Sequence, residues 1–103
     1  MSKLAYRYND DTILENHHVA CAFKVLLKDR NNIFCNMKRE DFSLFRKYCI
    51  ESILSTDLKR HFGLVEKLEN IMNDDKFVIS KYREDNDIEN FTFVMSILVH
   101  AAD

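Results

Sequence analysis

The sequence contains no proline and only one glycine in 103 residues. These two residues normally form the turns of β proteins and the loops that bind phosphate groups, so their scarcity favours helices. It also excludes a P-loop and a glycine-rich dinucleotide-binding motif. Apolar runs such as Ile97–Val99 are far too short to cross a bilayer, and the N-terminus lacks the apolar region of a signal peptide. No membrane contact is therefore expected for this segment.

The chain also lacks an excess of positive charge. It has 15 Lys and Arg residues against 17 Asp and Glu residues, a formal net charge of -2. Because the basic residues are scattered, the sequence offers no cationic surface for nucleic acid, and no nucleic-acid partner is expected. Hydrophobic residues make up 47% and charged residues 31%, which is typical of one small globular domain.

Three cysteines, Cys21, Cys35 and Cys49, leave one unpaired in any disulfide scheme. No Cys-x-x-Cys pair is present to suggest a zinc or redox motif. The sequence predicts buried free thiols in a reducing compartment.

Apolar residues recur at helical spacing in four segments. The first predicted helix is Thr12–Leu27 and the second is Arg39–Thr56. A third helical pattern covers residues 58–72 after a bend at residues 55–58, and Gly63 within it suggests close approach by a neighbouring backbone. The last helix follows Asp87 as its N-cap.

The remaining segments are less regular. Residues 1–10 are expected to pack onto the first helix through Leu4, Ala5, Tyr6 and Tyr8. Residues 28–37 are predicted to form an ordered connector, with Ile33, Phe34 and Met37 folded back beneath it. Residues 73–87 are rich in charge and are predicted to form an exposed loop.

The last helix is apolar on almost every side, and such a helix is normally buried within a larger structure. The chain stops at Asp103 without a C-cap glycine. We therefore expect a fragment of a larger all-α domain or an obligate partner of another chain.

Glu15 has two interpretations. In one, Thr12 and Glu15 form a capping box at the start of the first helix. In the other, Glu15 is a functional carboxylate on the apolar stripe of Val19, Ala22 and Leu26, where a charge needs partners or water. The pattern alone favours the capping box.

Two further positions carry polar groups on apolar faces. His100 and Asp103 are three residues apart in a helix, so both can face one site, either as metal ligands or as a hydrogen-bonded pair. Thr56 is expected to donate its hydroxyl to the carbonyl four residues earlier.

Several short blocks of sequence occur in a distinctive order. They are Leu4-Ala5, Tyr8-Asn9-Asp10, Leu14-Glu15-Asn16-His17-His18, Ala22-Phe23, Ile53-Leu54-Ser55-Thr56-Asp57-Leu58, His61-Phe62 and His100-Ala101-Ala102-Asp103. In order and spacing these blocks resemble the class I 3′,5′-cyclic nucleotide phosphodiesterase catalytic domain. The resemblance extends over essentially the whole chain.

The resemblance implies an all-α fold, with this chain forming about four helices of a compact multi-helix bundle. It implies hydrolysis of cyclic AMP or cyclic GMP to the 5′-nucleotide in signal transduction. Two divalent metals are implied, usually zinc and magnesium, with manganese as a substitute. The resemblance also implies a location in the cytoplasm or on the cytoplasmic face of a membrane.

Four residues match functional positions of that family. Asp103 resembles the aspartate that binds the first metal, and Glu15 resembles the acidic residue that orients the attacking water. Thr56 resembles a group near the waters of the second metal, and Leu58 matches a position that lines the substrate pocket. The histidines of this chain resemble supporting residues and not ligands.

Other family motifs are missing from the 103 residues. The His-Asp-x-x-His motif and the proton-donating histidine lie upstream in the family, and the glutamine and phenylalanine that hold the purine lie downstream. Residues 1–103 are thus expected to be a partial catalytic domain, inactive alone. The remainder of that domain, or another chain, is expected on the last helix. The alternative is a noncatalytic helical interaction module derived from the same scaffold.

Overall fold

The computed structural model describes residues 2–74 and 88–103. These residues form helices and no strand, so the predicted all-α class is confirmed. The α-helices are α1 (Lys3–Arg7), α2 (Ile13–Leu26), α3 (Arg39–Leu54), α4 (His61–Met72) and α5 (Ile88–Ala102). Two short 3₁₀ helices lie at Asp29–Asn31 and Leu58–Arg60.

The N-terminal segment is more regular than the sequence predicted. Ser2 caps α1, because its hydroxyl accepts a hydrogen bond from the backbone N–H of Ala5 at 3.1 Å. Ala5 is buried, as predicted, whereas Tyr6 is exposed. Helix α1 packs against α2, and the boundaries of α2 agree with the prediction to within one residue.

The core between α2 and α3 is built on aromatic rings. Phe23 on α2 is only 4% exposed and packs edge-to-face on Phe42 and Phe45 of α3, with ring centroids 6.2 and 6.5 Å apart. The connector returns Phe34 to this cluster, 4.7 Å from Phe45. The predicted folding back of Phe34 is confirmed, whereas it is wrong for Ile33 and Met37, which are exposed.

Helix α3 is the centre of the described fold because it contacts α2 on one side and α5 on another. Tyr48 of α3 lies against Phe91 of α5, with ring centroids 4.9 Å apart. Phe93 and Ser96 of α5 are buried, whereas Val94 and Leu98 are exposed. As predicted, the other helices that the structure describes leave part of this apolar helix uncovered.

The chain bends where the sequence predicted. Helix α3 ends at Leu54, and α4 begins at His61 after the short 3₁₀ helix. The expectation for Gly63 is wrong, because a Cβ atom there would meet nothing within 4 Å.

The cysteines differ from the prediction in burial. All three are free thiols, but Cys21 and Cys35 are exposed, so the prediction of burial is wrong for both. Cys49 is half-buried, and burial raises the pKa of its thiol. Helix α2 buries only Val19 and Phe23, which lie on the face opposite to Cys21.

Two sequence predictions lie outside the described residues. They concern most of the loop at 73–87 and the Asp87 cap of the last helix. Within the described part of the chain, no helix combines the length and the apolar character that crossing a membrane would require.

Candidate functional site

The turn between α3 and α4, residues 55–58, carries two of the predicted site residues. The Thr56 hydroxyl donates to the carbonyl oxygen of Ile53 at 2.7 Å. The predicted partner was one residue earlier in the chain, and the tighter geometry of the turn accounts for the difference. Leu58 is 79% exposed, which leaves its side chain accessible to a ligand.

Asp57 organises the second half of this turn. Its carboxylate accepts the backbone N–H of Lys59 at 2.9 Å, and that bond holds the pKa of the carboxyl below its ordinary range. Desolvation opposes this shift, whereas the Thr12 hydroxyl and the charges of Lys59 and Arg60 add to it. Asp57 is therefore ionised at neutral pH, and its contact with Thr12 connects the turn to the start of α2.

The start of α2 is built differently from a capping box. Thr12 is the N-cap, but its backbone is left-handed, with φ 41°, and its side chain forms no capping bond. The hydroxyl instead donates to Asp11 Oδ1 at 3.2 Å, and Thr12 is only 4% exposed. A β-branched residue rarely adopts this conformation, and such strain often accompanies function.

Glu15 is consequently free of the capping role that its sequence context favoured. It lies half-buried in the first turn of α2. Within residues 2–74 and 88–103, its carboxylate forms neither a hydrogen bond nor an ion pair. A half-buried acid of this kind can interact with water or with a cation.

Asp103 follows the last residue of α5 and is exposed. Its backbone N–H donates to the Val99 carbonyl at 3.1 Å. Its carboxylate has no partner among the residues that the structure describes. Of the two alternatives for His100 and Asp103, the hydrogen-bonded pair is not formed, because the His100 ring contacts Ser55 and His61 instead.

The rings of His17, His61 and His100 have protein partners. His17 Nδ1 lies 3.4 Å from the Tyr8 hydroxyl, and its Nε2 lies 3.5 Å from Cys21 Sγ. His100 Nδ1 lies 2.7 Å from the Ser55 carbonyl oxygen, and its Nε2 lies 2.9 Å from His61 Nδ1. Both nitrogens of His100 are occupied by protein atoms, which does not leave a lone pair for a metal.

The three elements that carry the predicted site residues meet at the turn of residues 55–58. Thr12 approaches it from the start of α2, and His100 approaches it from the end of α5. No hydrogen bond or ion pair joins Glu15, Thr56 and Asp103 to one another in the described part of the chain. No group of three or more His, Cys, Asp or Glu residues within that part could hold a metal ion.

A separate cleft of about 320 Å³ lies between α3, α4 and α5. Glu51 and Arg60 form a salt bridge of 3.7 Å at its wall, and Lys67 Nζ lies 4.5 Å from the centre of the Phe93 ring. None of the four predicted site residues lines this cleft. The cleft borders the turn of residues 55–58 through Ser55, but it does not include the four predicted residues.

Sequence reasoning missed Ser55 and the contacts of Thr12, Asp57 and His100. Ser55, Asp57 and His100 belong to the sequence blocks that carry the family resemblance, whereas Thr12 lies outside them. Their roles depend on contacts across 39 to 45 positions in the chain, as in the His61–His100 and Ser55–His100 contacts. Spacing along one helix carries no information about such contacts.

A family model described as 3′5′-cyclic nucleotide phosphodiesterase matches residues 1–103. Among curated proteins, the Drosophila melanogaster 3′,5′-cyclic-AMP phosphodiesterase, isoform F, is 38% identical over 102 residues. Isoforms N/G of the same organism are also 38% identical over 102 residues. Each alignment covers 99% of this chain, which spans only 15% and 10% of the two relatives.

Solved structures also resemble this chain. The phosphodiesterase domain of the RhoPDE fusion protein from the choanoflagellate Salpingoeca rosetta superimposes with a TM-score of 0.88 at 34% identity. The match covers 98% of this chain and 31% of that one. A second structure of the phosphodiesterase domain of the Salpingoeca rosetta rhodopsin phosphodiesterase gives a TM-score of 0.79, also at 34% identity.

Proposed function

Because this chain belongs to the 3′5′-cyclic nucleotide phosphodiesterase family, we propose that its residues form part of a catalytic domain that hydrolyses a cyclic nucleotide to the 5′-nucleotide. The family match over all 103 residues carries the proposal, and the TM-score of 0.88 supports it. The names of the Drosophila relatives make cyclic AMP the first substrate to assay. Cyclic GMP is the second.

We assign Asp103 as a metal ligand. Its exposed carboxylate has no partner in the described part of the chain, so its oxygen lone pairs are available. Hard anionic oxygen suits zinc or magnesium. Since the described residues contain no cluster of three ligands, we propose that the other ligands lie outside this chain in the complete domain. Bound divalent ions would activate water and stabilise charge on the phosphoryl oxygens.

We assign Glu15 to the orientation of the attacking water. A half-buried carboxylate without a salt bridge in the described part of the chain can accept a hydrogen bond from water and hold its proton during attack. This role explains why a charge lies on the first turn of a helix whose Val19 and Phe23 are buried.

Thr56 and Leu58 have different proposed roles. The Thr56 hydroxyl has its proton committed to the Ile53 carbonyl, so its remaining lone pairs can accept hydrogen bonds from ordered water near the reacting phosphate. Leu58 presents an exposed apolar side chain that can contact the nucleotide. Both lie on the turn of residues 55–58.

The test is the hydrolysis of cyclic AMP and cyclic GMP by the full-length gene product, assayed with zinc and magnesium present. We expect formation of the 5′-nucleotide, and we expect the isolated 103-residue chain to be inactive. The complete reading frame should contain a His-Asp-x-x-His motif upstream. A full-length product that lacks the motif and is inactive would instead support the noncatalytic interaction module.

A further inference from the structure

Ser55 is the most deeply buried residue of the turn, with only 2% of its surface exposed. Its hydroxyl lies 2.6 Å from the Ser52 carbonyl oxygen and 3.2 Å from that of Ser96. One hydroxyl proton is therefore shared between α3 and α5, which holds the middle of α5 against the end of α3.

The backbone carbonyl of Ser55 also has a partner on α5. Ser55 is the C-cap of α3, where carbonyl groups have no partner within the helix. His100 Nδ1 lies 2.7 Å from this oxygen. Because a carbonyl can only accept a hydrogen bond, the proton must be on Nδ1.

His61 then fixes the other side of the His100 ring. The distance from His61 Nδ1 to His100 Nε2 is 2.9 Å, and the two rings are inclined by 33°. In neutral His100 the Nε2 atom is the acceptor, so His61 donates from Nδ1. One imidazole thus joins the end of α3, the first residue of α4 and the last turn of α5.

We propose that His100 is a positioning residue for hydrolysis. It binds the residue immediately before Thr56 and lies one helical turn before Asp103. Its ring therefore sets the distance between the end of α5 and the turn of residues 55–58. This inference rests on the proposed function, because it concerns the placement of the metal ligand relative to the groups on the turn.

The experiment compares two replacements at one position in the full-length protein. His100→Asn keeps an N–H donor close to the position of Nδ1, whereas His100→Leu has similar size and no donor. Misplacement of reacting groups by about 1 Å can lower a rate by about 100-fold. We therefore expect a loss of about 10- to 100-fold in kcat for His100→Leu, a smaller change in KM, and substantial recovery of kcat in His100→Asn.

The outcomes separate the inference from the proposed function. A wild-type protein that does not hydrolyse either cyclic nucleotide would overturn both. An active wild-type protein with an equally active His100→Leu variant would overturn only the positioning role. The positioning role would also be overturned if His100→Asn and His100→Leu lowered kcat equally and both lowered the unfolding temperature. The defect would then be one of packing.

Nitrogen NMR of the full-length protein with ¹⁵N-labelled histidine gives a readout that is independent of activity. We expect His100 to carry its proton on Nδ1, with Nε2 hydrogen-bonded to His61. In His61→Leu, the Nε2 signal of His100 should shift toward that of a solvent-exposed nitrogen. A proton found on Nε2 alone would rule out the bond to the Ser55 carbonyl and with it the inference.

Discussion

The hydroxyl oxygen of Ser55 lies 3.2 Å from the carbonyl oxygen of Ser96, although 41 positions separate the two residues. This contact is buried and joins the end of α3 to α5. The carbonyl oxygen of Ser55 also accepts a hydrogen bond from the His100 ring. Ser55 therefore makes two of the polar contacts between α3 and α5. The sequence did not predict its burial, because serine usually lies at the surface.

Replacing Ser55 by alanine should destabilise the protein by about 1 kcal/mol, the usual net value of one hydrogen bond. Ser55→Val should cost about 1–3 kcal/mol, because added methyl groups do not fit a tightly packed site. Urea unfolding measures both. Ser43→Ala is the matched control, since Ser43 is exposed on the same helix, and its unfolding midpoint should stay near that of the wild type. Equal effects at the two serines would contradict the assigned contact.

Phe23 should be the largest single contributor to the described core. It is buried against Phe42 and Phe45, and the Arg46 guanidinium lies 4.4 Å from the centre of its ring. Phe23→Ala removes these contacts and leaves a cavity, for which we expect a loss of about 3–5 kcal/mol. The control is Val25→Ala, because Val25 is an exposed residue of the same helix. A similar loss in both variants, measured by urea unfolding, would argue against this packing.

In the full-length enzyme, Asp103→Ala should abolish hydrolysis and lower the content of bound metal, because it removes a ligand. Glu15→Gln should retain metal but lower kcat by about 100-fold or more, because an amide cannot take a proton from water. Assays of 5′-nucleotide formation and elemental analysis of metal distinguish the two roles. Glu66→Gln, on the exposed side of α4, serves as the control. Full activity in either site variant would count against its assignment.

The turn of residues 55–58 should make stability depend on pH in the acidic range. The pKa of Asp57 in the folded protein lies below its ordinary value of 3.8, so the ionised carboxylate favours folding. The contribution of ionised Asp57 to the free energy of unfolding is complete above pH 3.8, and it is lost as the pH falls through the pKa of Asp57 in the folded protein. The unfolding temperature of the wild type should therefore exceed that of Asp57→Asn at about pH 6, and the difference should shrink toward about pH 3.

At about pH 6, the unfolding temperature of Thr12→Val should lie between those of the wild type and Asp57→Asn. The substitution removes the Thr12 hydroxyl, which donates to Asp11 and is also a smaller cause of the lowered pKa of Asp57, and it leaves the bond from the Lys59 backbone in place. If the difference in unfolding temperature between the wild type and Asp57→Asn grew as the pH fell, the pKa of Asp57 would be shifted in the opposite direction. That result would refute the assignment.

The helices could be predicted from the sequence because helical periodicity is local. The start of α3 at Arg39 and the bend after Leu54 follow from apolar residues repeated every three or four positions. Apolar residues in a polar connector predicted the return of Phe34 but also, wrongly, that of Ile33 and Met37, because sequence does not show which of three neighbouring apolar side chains will reach the aromatic core. The prediction from Gly63 was wrong, because a glycine within a helix does not by itself show whether another backbone lies nearby.

The candidate site also has a part that the sequence predicted and a part that only the tertiary structure revealed. The sequence blocks alone determined the family, the all-α class and the identities of Glu15, Thr56, Leu58 and Asp103 as candidates, because residue type and spacing are read along one chain. Only the tertiary structure decided that Thr12 leaves the capping role and that His100 turns from Asp103 toward Ser55. Those choices depend on which polar groups meet when α2, α3 and α5 pack, and a buried carbonyl or carboxylate selects its partner by proximity in space.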